Sequence, residues 1–246
     1  MCLDPAWAQQ TAAPPRACVL DTIGPANVAA VSDGRSLTLS DGREVRLAGI
    51  ETPGAAAAKT ALEALLSDPA VVLKRLGAER DRHGRMLAYA FAASGERSLQ
   101  HALLAAGHAV VAAQVGDAAC AADLLRTERA ARAARLGVWA SPDYFIRGAD
   151  QPAAVLAERG RFTLVEGRVI SVRESGGTIY VNFGRRWSED FTVTIPKRIE
   201  KTFIGAGLEL KKLSGQRVRV RGTVEERGGP WIEAVRPEQI EIADLN

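Results

Sequence analysis

Arginine is the residue type best able to do chemistry in this chain. It supplies 26 of the 32 basic residues, and its planar guanidinium suits bidentate contact with phosphate or carboxylate. Arg126, Arg129, Arg132 and Arg135 follow one another at a spacing of three. On an α-helix that spacing drifts by about 60° per step, so the side chains spiral instead of forming one phosphate-binding ridge. A solvated face, with Glu128 pairing to Arg132 at i,i+4, accounts for them. Farther on, Tyr180, Phe183, Trp187 and Phe191 surround Arg185 and Arg186. That mixture would let bases stack beside phosphate contacts, although aromatic side chains in a small barrel serve equally as core.

Charge and composition bound the rest. The net charge is only +3, and the basic excess falls in residues 151–246, so the chain does not coat nucleic acid by bulk charge and any such contact is local. The hydrophobic share of 47% and charged share of 25% are those of an ordinary globular protein. No apolar run reaches the roughly eighteen residues of a membrane span. At the start, Ala6-Trp7-Ala8 before Gln9 has the small-x-small pattern of a secretory cleavage site. The expectation is a chain that starts inside a longer leader, matures near Gln9 and is periplasmic or secreted; a disordered Ala/Pro tail is the alternative. Removing Cys2 with that leader leaves Cys18 and Cys120 as an even pair. They either form a bridge, closing roughly 100 residues and contributing about 4 to 5 kcal/mol, or stay as two buried thiols.

The elements that must position these residues are legible in outline. From Asn27 to Ala48 short strands alternate with the turn dipeptides Asp33-Gly34 and Asp41-Gly42, a β-meander. Ala55 to Leu66 reads as a helix, Val71 to Leu76 and Met86 to Ala92 as a hairpin about Asp81 to Gly84. Ser98 caps a helix from Leu99 to Ala106 and Asp117 one from Ala118 to Leu136, with Gly107 and Gly137 as stops and a brief strand at Ala109 to Val111. Residues 1–26 are leader and tail, 27–140 a first domain, 141–160 a linker with one helical turn. Residues 161–246 hold five strand candidates, at Phe162 to Val172, Thr178 to Phe183, Phe191 to Ile195, Gln216 to Glu225 and Trp231 to Ala234. Their spacing resembles a small oligonucleotide/oligosaccharide-binding (OB) barrel. The fold class is α+β, mainly β: one small barrel with three helices, then a second small β-barrel.

Four segments of the first domain carry a resemblance. They are Ser32 to Leu37, Val45-Arg46-Leu47-Ala48-Gly49-Ile50-Glu51-Thr52-Pro53, Asp81-Arg82-His83-Gly84-Arg85, and Glu128 through Arg132 to Gly137-Val138-Trp139. In this order they resemble the thermonucleases, the staphylococcal nuclease-like family, over roughly residues 28 to 140. The resemblance implies a five-stranded OB-type barrel and phosphodiester hydrolysis at a carboxylate-held calcium ion, with a glutamate base and two arginines on the phosphate. Such chemistry concentrates negative charge on a phosphorane-like centre and needs cations around it. Arg46 and Arg85 match the two arginines; Glu51 matches the second calcium carboxylate, with Thr52 beside it. Asp33 keeps its place, where an Asx hydrogen bond holding the turn is its plainer role. Arg82 and His83 stand beside the clamp, His83 where a tyrosine is common.

Three departures change what the resemblance implies. The first calcium carboxylate is replaced by Arg35, the base by Gly54, and the aromatic residues expected after Gly107 are missing from His108 to Gly116. A guanidinium about 5 Å from a divalent ion would cost about 7 kcal/mol at an effective dielectric of 20. The sequence therefore predicts no cofactor, an Arg35–Glu51 pair where calcium would sit, and a module retained to bind phosphate or nucleic acid or for structure. An active nuclease on DNA or RNA is the alternative. It would use Asp33, Glu51 and Thr52 with calcium or another divalent metal, helped by Glu189 or Asp190. A periplasmic module for protein or glycan is a third reading.

Overall fold

A computed structural model of the chain describes residues 17–77, 80–81, 83–93, 95–141, 146–186 and 188–243. The alternating strands β1 (Asp21–Asp33), β2 (Ser36–Leu39), β3 (Glu44–Leu47), β5 (Ala70–Arg75) and β6 (Met86–Ala92) close into a barrel in the order β1-β2-β3-β6-β5. Period-two patterning sends Leu37, Leu39, Val45, Leu47, Val71 and Leu73 inward, each at most 2% exposed. Closure depends on β1, whose first half pairs with β5 and second half with β2, a stagger of the kind a closed sheet needs. Sequence places the start of this strand at Asn27, but the strand begins at Asp21 and takes in a bulge at the register shift between Thr22 and Gly24.

Outside the barrel, β4 (Ile50–Glu51) pairs with β7 (Val110–Val111). Three helices pack alongside, α1 (Ala55–Leu65), α2 (Leu99–Ala105) and α3 (Ala118–Ala133). Both expected caps are in place: Ser98 Oγ accepts the His101 amide, and Asp117 Oδ1 accepts those of Ala119 and Cys120 at 2.9 and 3.0 Å. The third helix ends three residues before Leu136. Arg135 turns left-handed at φ 53°, and Leu136, outside the helix, is 43% exposed. The reason is the contact between Gly107 (φ 70°) and Gly137 (φ 52°): Val138 N donates to Gly107 O at 2.9 Å, and a Cβ on Gly107 would lie 2.1 Å from Leu136 O. Only glycine fits that crossing.

Residues 146–156, inside the segment read as a linker with one helical turn, form a strand, β8 (Ile146–Gly148), as well as that turn of helix, α4 (Pro152–Leu156). There follow β9 (Phe162–Arg168), β10 (Ser171–Ser175), β11 (Thr178–Asn182), β12 (Thr192–Pro196), α5 (Glu200–Gly205), β13 (Arg217–Thr223), β14 (Glu225–Arg227), β15 (Gly229–Glu233) and β16 (Ile240–Ile242). The expected second β unit distributes its strands over two sheets, β10-β11-β12-β15-β14 and β16-β13-β9-β8. The chain steps between them at Val169 and Ile170, whose amides donate to Gln216 O and Asn182 O, both at 2.8 Å. Val165, Val181, Val193, Val220 and Ile232 fill the space between. Phe183 and Phe191 belong to this core, 7% and 0% exposed, and offer no stacking platform. No helix among the described residues is long and apolar enough to cross a membrane.

The two units share an interior. Val110, Ala131, Trp139 and Leu164 form one apolar cluster across the junction. Beside it, Arg221 of β13 grips Glu128 of α3 with two hydrogen bonds of 2.9 Å, and the two are 1% and 0% exposed. Arg126, Arg129 and Arg135 are exposed, as a solvated face requires, but Glu128 and Arg132 turn toward the second unit. Glu128 does meet Arg132, at 3.3 Å, but Arg132 also donates to Glu241 at 2.5 Å, and Arg129 reaches Glu241 at 3.2 Å.

Candidate functional site

The β1–β2 turn brings the first site residues together. Asp33 Oδ1 accepts the Arg35 amide at 2.8 Å, closing an Asx turn. Gly34 lies so close to α1 and Thr52 that a Cβ there would meet Ala58 Cβ at 2.7 Å and Thr52 Oγ1 at 3.0 Å. With the turn pressed down in this way, the Arg35 side chain is only 16% exposed. Its Nη1 donates to Ile50 O at 2.7 Å, and its Nη2 forms a short ion pair with Glu51. Glu51 is carried by β4, which β7 holds in register through the pairs Ile50↔Val111 and Glu51↔Val110.

Arg46 approaches from β3, opposite Ser36, and its Nη2 stands 4.0 Å from Glu51 Oε1. Burial, then the neighbouring charges of Arg35 and Arg85, hold the Arg46 guanidinium below its usual pKa; Glu51 and Asp33 oppose that shift. Arg35, Arg46 and Arg85 thus lie near enough to Asp33 and Glu51 to feel one another's charge, and a third carboxylate, Asp81, pairs with Arg85.

Arg85 is held by a residue that sequence reasoning quoted without assigning a role. Asp81 Oδ2 accepts from Arg85 Nε and Nη2, both at 2.8 Å, while its Oδ1 takes the amides of His83 and Arg85 at 2.8 and 3.0 Å. One carboxylate thus builds the turn and aims the guanidinium. Burial pushes the Asp81 carboxyl up, but the hydrogen bonds from Arg85 and the His83 and Arg85 amides prevail and hold it below the usual range. The available signal was an aspartate four residues before the arginine across a hairpin turn.

The remaining predicted residues divide. His83 is exposed on the β5–β6 turn; Arg82, like residues 1–16 and Trp187, lies outside the described residues. Gly54 precedes α1 without a side-chain cap, and a Cβ there would meet only Val138 Cγ1, at 3.8 Å, so the position is empty by choice of residue and not for lack of space. Glu189 and Asp190 serve their own loop, pairing with Arg186 Nη1 at 2.9 Å and accepting the Arg186 amide at 2.7 Å. They do not reach the barrel cleft. Cys18 and Cys120 form a disulfide with Cα atoms 4.4 Å apart, tying the segment before β1 to the first turn of α3.

These residues do not fit a calcium ion. Calcium takes six to eight oxygens at about 2.3–2.6 Å, whereas Glu51 is already paired with Arg35 and Asp33 Oδ1 is engaged by a backbone amide. Among the described residues no three His, Cys, Asp or Glu side chains converge on a metal-sized position. What the arrangement offers is a pair of guanidinium groups, Arg46 at 4.0 Å from Glu51 and Arg85 held by Asp81, with N–H donors remaining on each. That suits an oxyanion.

Residues 44–141 match the family model described as staphylococcal nuclease homologue. No curated protein matches the chain.

Proposed function

Taking as premise that residues 44–141 are a staphylococcal nuclease homologue domain, we propose that this domain binds phosphate groups of nucleic acid without calcium and without hydrolysing them. The observation that carries the reading is the Arg35 side chain, hydrogen-bonded to Ile50 O and ion-paired with Glu51, on the side of the cleft where the resemblance puts a calcium carboxylate. Arg35 supplies a fixed positive charge there, so Arg46 and Arg85 can hold non-bridging phosphate oxygens with no metal to recruit. Hydrolysis needs in addition a base to take a proton from water. Gly54 offers none, and Glu51 has its charge compensated.

The test is to incubate the full chain with single-stranded DNA and RNA across calcium, magnesium and manganese, beside the Arg85→Ala variant. Binding that Arg85→Ala weakens, with no cleavage in any metal, is the expected result. Robust cleavage that Arg85→Ala abolishes would instead mark a working phosphodiesterase.

The proposal extends to compartment. A disulfide persists in the periplasm or outside the cell and is rare in a reducing cytosol, so the Cys18–Cys120 bridge supports an exported protein. Mass spectrometry of the mature N-terminus, from a gene expressed with its upstream codons, tests this: cleavage near Gln9 supports export, and an intact start with free thiols opposes it.

A further inference from the structure

The second unit has a groove of its own, about 1010 Å³, over the outer face of the sheet β10-β11-β12-β15-β14. Strand alternation builds it. Ile179, Val181, Val193 and Ile195 point into the core, which leaves Thr178, Tyr180, Asn182, Thr192 and Thr194 on the opposite face, lining the groove. The floor is deep enough that Thr192 and Thr194 are only 8% and 9% exposed. Hydroxyls and an amide stand on this floor, with Ile170, Pro196 and Trp231 adding apolar surface beside them.

Its rim is basic. Arg173, Arg185 and Arg227 line the groove against one carboxylate, Glu233. All three arginines are exposed, and among the described residues none of them forms an ion pair. Arg227 lies instead over the Trp231 ring, 4.0 Å from its centroid. Two polar atoms of the lining residues, Thr194 Oγ1 and Trp231 Nε1, are buried without a hydrogen-bond partner, a deficit that a polar ligand would relieve.

We propose that this groove is a second binding site, for single-stranded nucleic acid, separate from the barrel cleft. Arg173, Arg185 and Arg227 meet its phosphates, and Tyr180 meets its bases. Charge selects the ligand class. An apolar peptide leaves the three rim arginines without a counter-charge. A neutral glycan wants an open aromatic plane, and here Trp231 is 4% exposed beneath a guanidinium. A duplex is too stiff to reach the floor, whereas a flexible single strand offers both an anion and a π-face at each unit. Five strands spaced about 4.8 Å apart span about 20 Å, matching the lower end, about four nucleotides, of known single-strand sites.

Fluorescence anisotropy of a labelled oligothymidylate of about twelve nucleotides, with EDTA present, tests the site on the full chain across a salt series. Removing two phosphate contacts with Arg173→Ala and Arg227→Ala together is expected to weaken binding about tenfold and lower the log–log salt slope by about 1.4. Tyr180→Ala is expected to weaken binding about fivefold with the slope unchanged. Arg46→Ala with Arg85→Ala disables the barrel clamp, so the groove is read alone in that background, and failure of one site is distinguished from failure of the other. Circular dichroism establishes that each variant is folded. Unchanged affinity and slope in the groove variants would overturn the proposal, as would loss of all binding in the barrel variant, or binding of chitohexaose in place of the oligonucleotide.

Discussion

Glu51 has its charge met by Arg35 on one side and faces Arg46 on the other, an arrangement that under the proposed function favours an anion over a divalent cation in the cleft. The two positions that make it so are reversible by substitution. Gly54 has open space at its Cβ, and Arg35 is anchored by its own side chain. Replacing both, Arg35→Asp with Gly54→Glu, is expected to create calcium-dependent cleavage of single-stranded DNA at least about 10²-fold above the parent, the lower range for a positioned general base. A nicking assay on a fluorescent oligonucleotide measures it. The clamp residue Arg85 depends on Asp81, whose folded pKa is lowered. A carboxylate shifted in that direction contributes stability that is present above its unfolded value, about 3.9, and lost as pH falls through the folded value. Thermal melts should therefore show Asp81→Asn less stable than the parent near neutrality, with the difference vanishing at strongly acid pH. The arginines, Glu51 and even the Arg35–Glu51 contact were legible in sequence because each sits in a short motif. Asp81 was not, since its role is to orient a neighbour, and residue type alone does not tell an orienting carboxylate from a turn-former.

Elements follow the same division. Short apolar runs beside turn residues, such as Met86–Ala92, and polar caps such as Asp117 were legible because local sequence decides them. The early start of β1 and the early end of α3 were not, because a bulge and a glycine crossing depend on partners far along the chain. The cysteine pair lies between these cases: parity suggested it, and only the fold brings sulfurs 102 residues apart into contact. Cys18→Ser with Cys120→Ser opens that loop, and chemical denaturation should show a loss of about 4 to 5 kcal/mol on the chain-entropy model. A loss under about 1 kcal/mol would mean that the pairing of the first half of β1 with β5 secures this end of the fold without the bridge.

On the scale of the whole molecule the units are joined through charge buried at the junction. Arg221 donates to Glu128 and to Val111 O at 2.9 Å, and Val111 belongs to the strand that pairs with the one carrying Glu51. This connection had no sequence signal: Glu128 and Arg221 stand 93 residues apart, and only the local i,i+4 partner of Glu128 could be read. Arg221→Met leaves Glu128 buried without its charge partner and should cost about 3 to 5 kcal/mol by denaturant unfolding, whereas adding Glu128→Gln should recover part of that loss. Equal losses in the single and double variants would show that packing, and not charge, joins the units. The central claim is that Arg35 does the work of a metal in the barrel cleft, and isothermal calorimetry of calcium titrated into the full-length chain addresses it most directly. The account predicts no stoichiometric heat from calcium, while a single-stranded oligonucleotide binds in EDTA; tight one-to-one calcium uptake would contradict it.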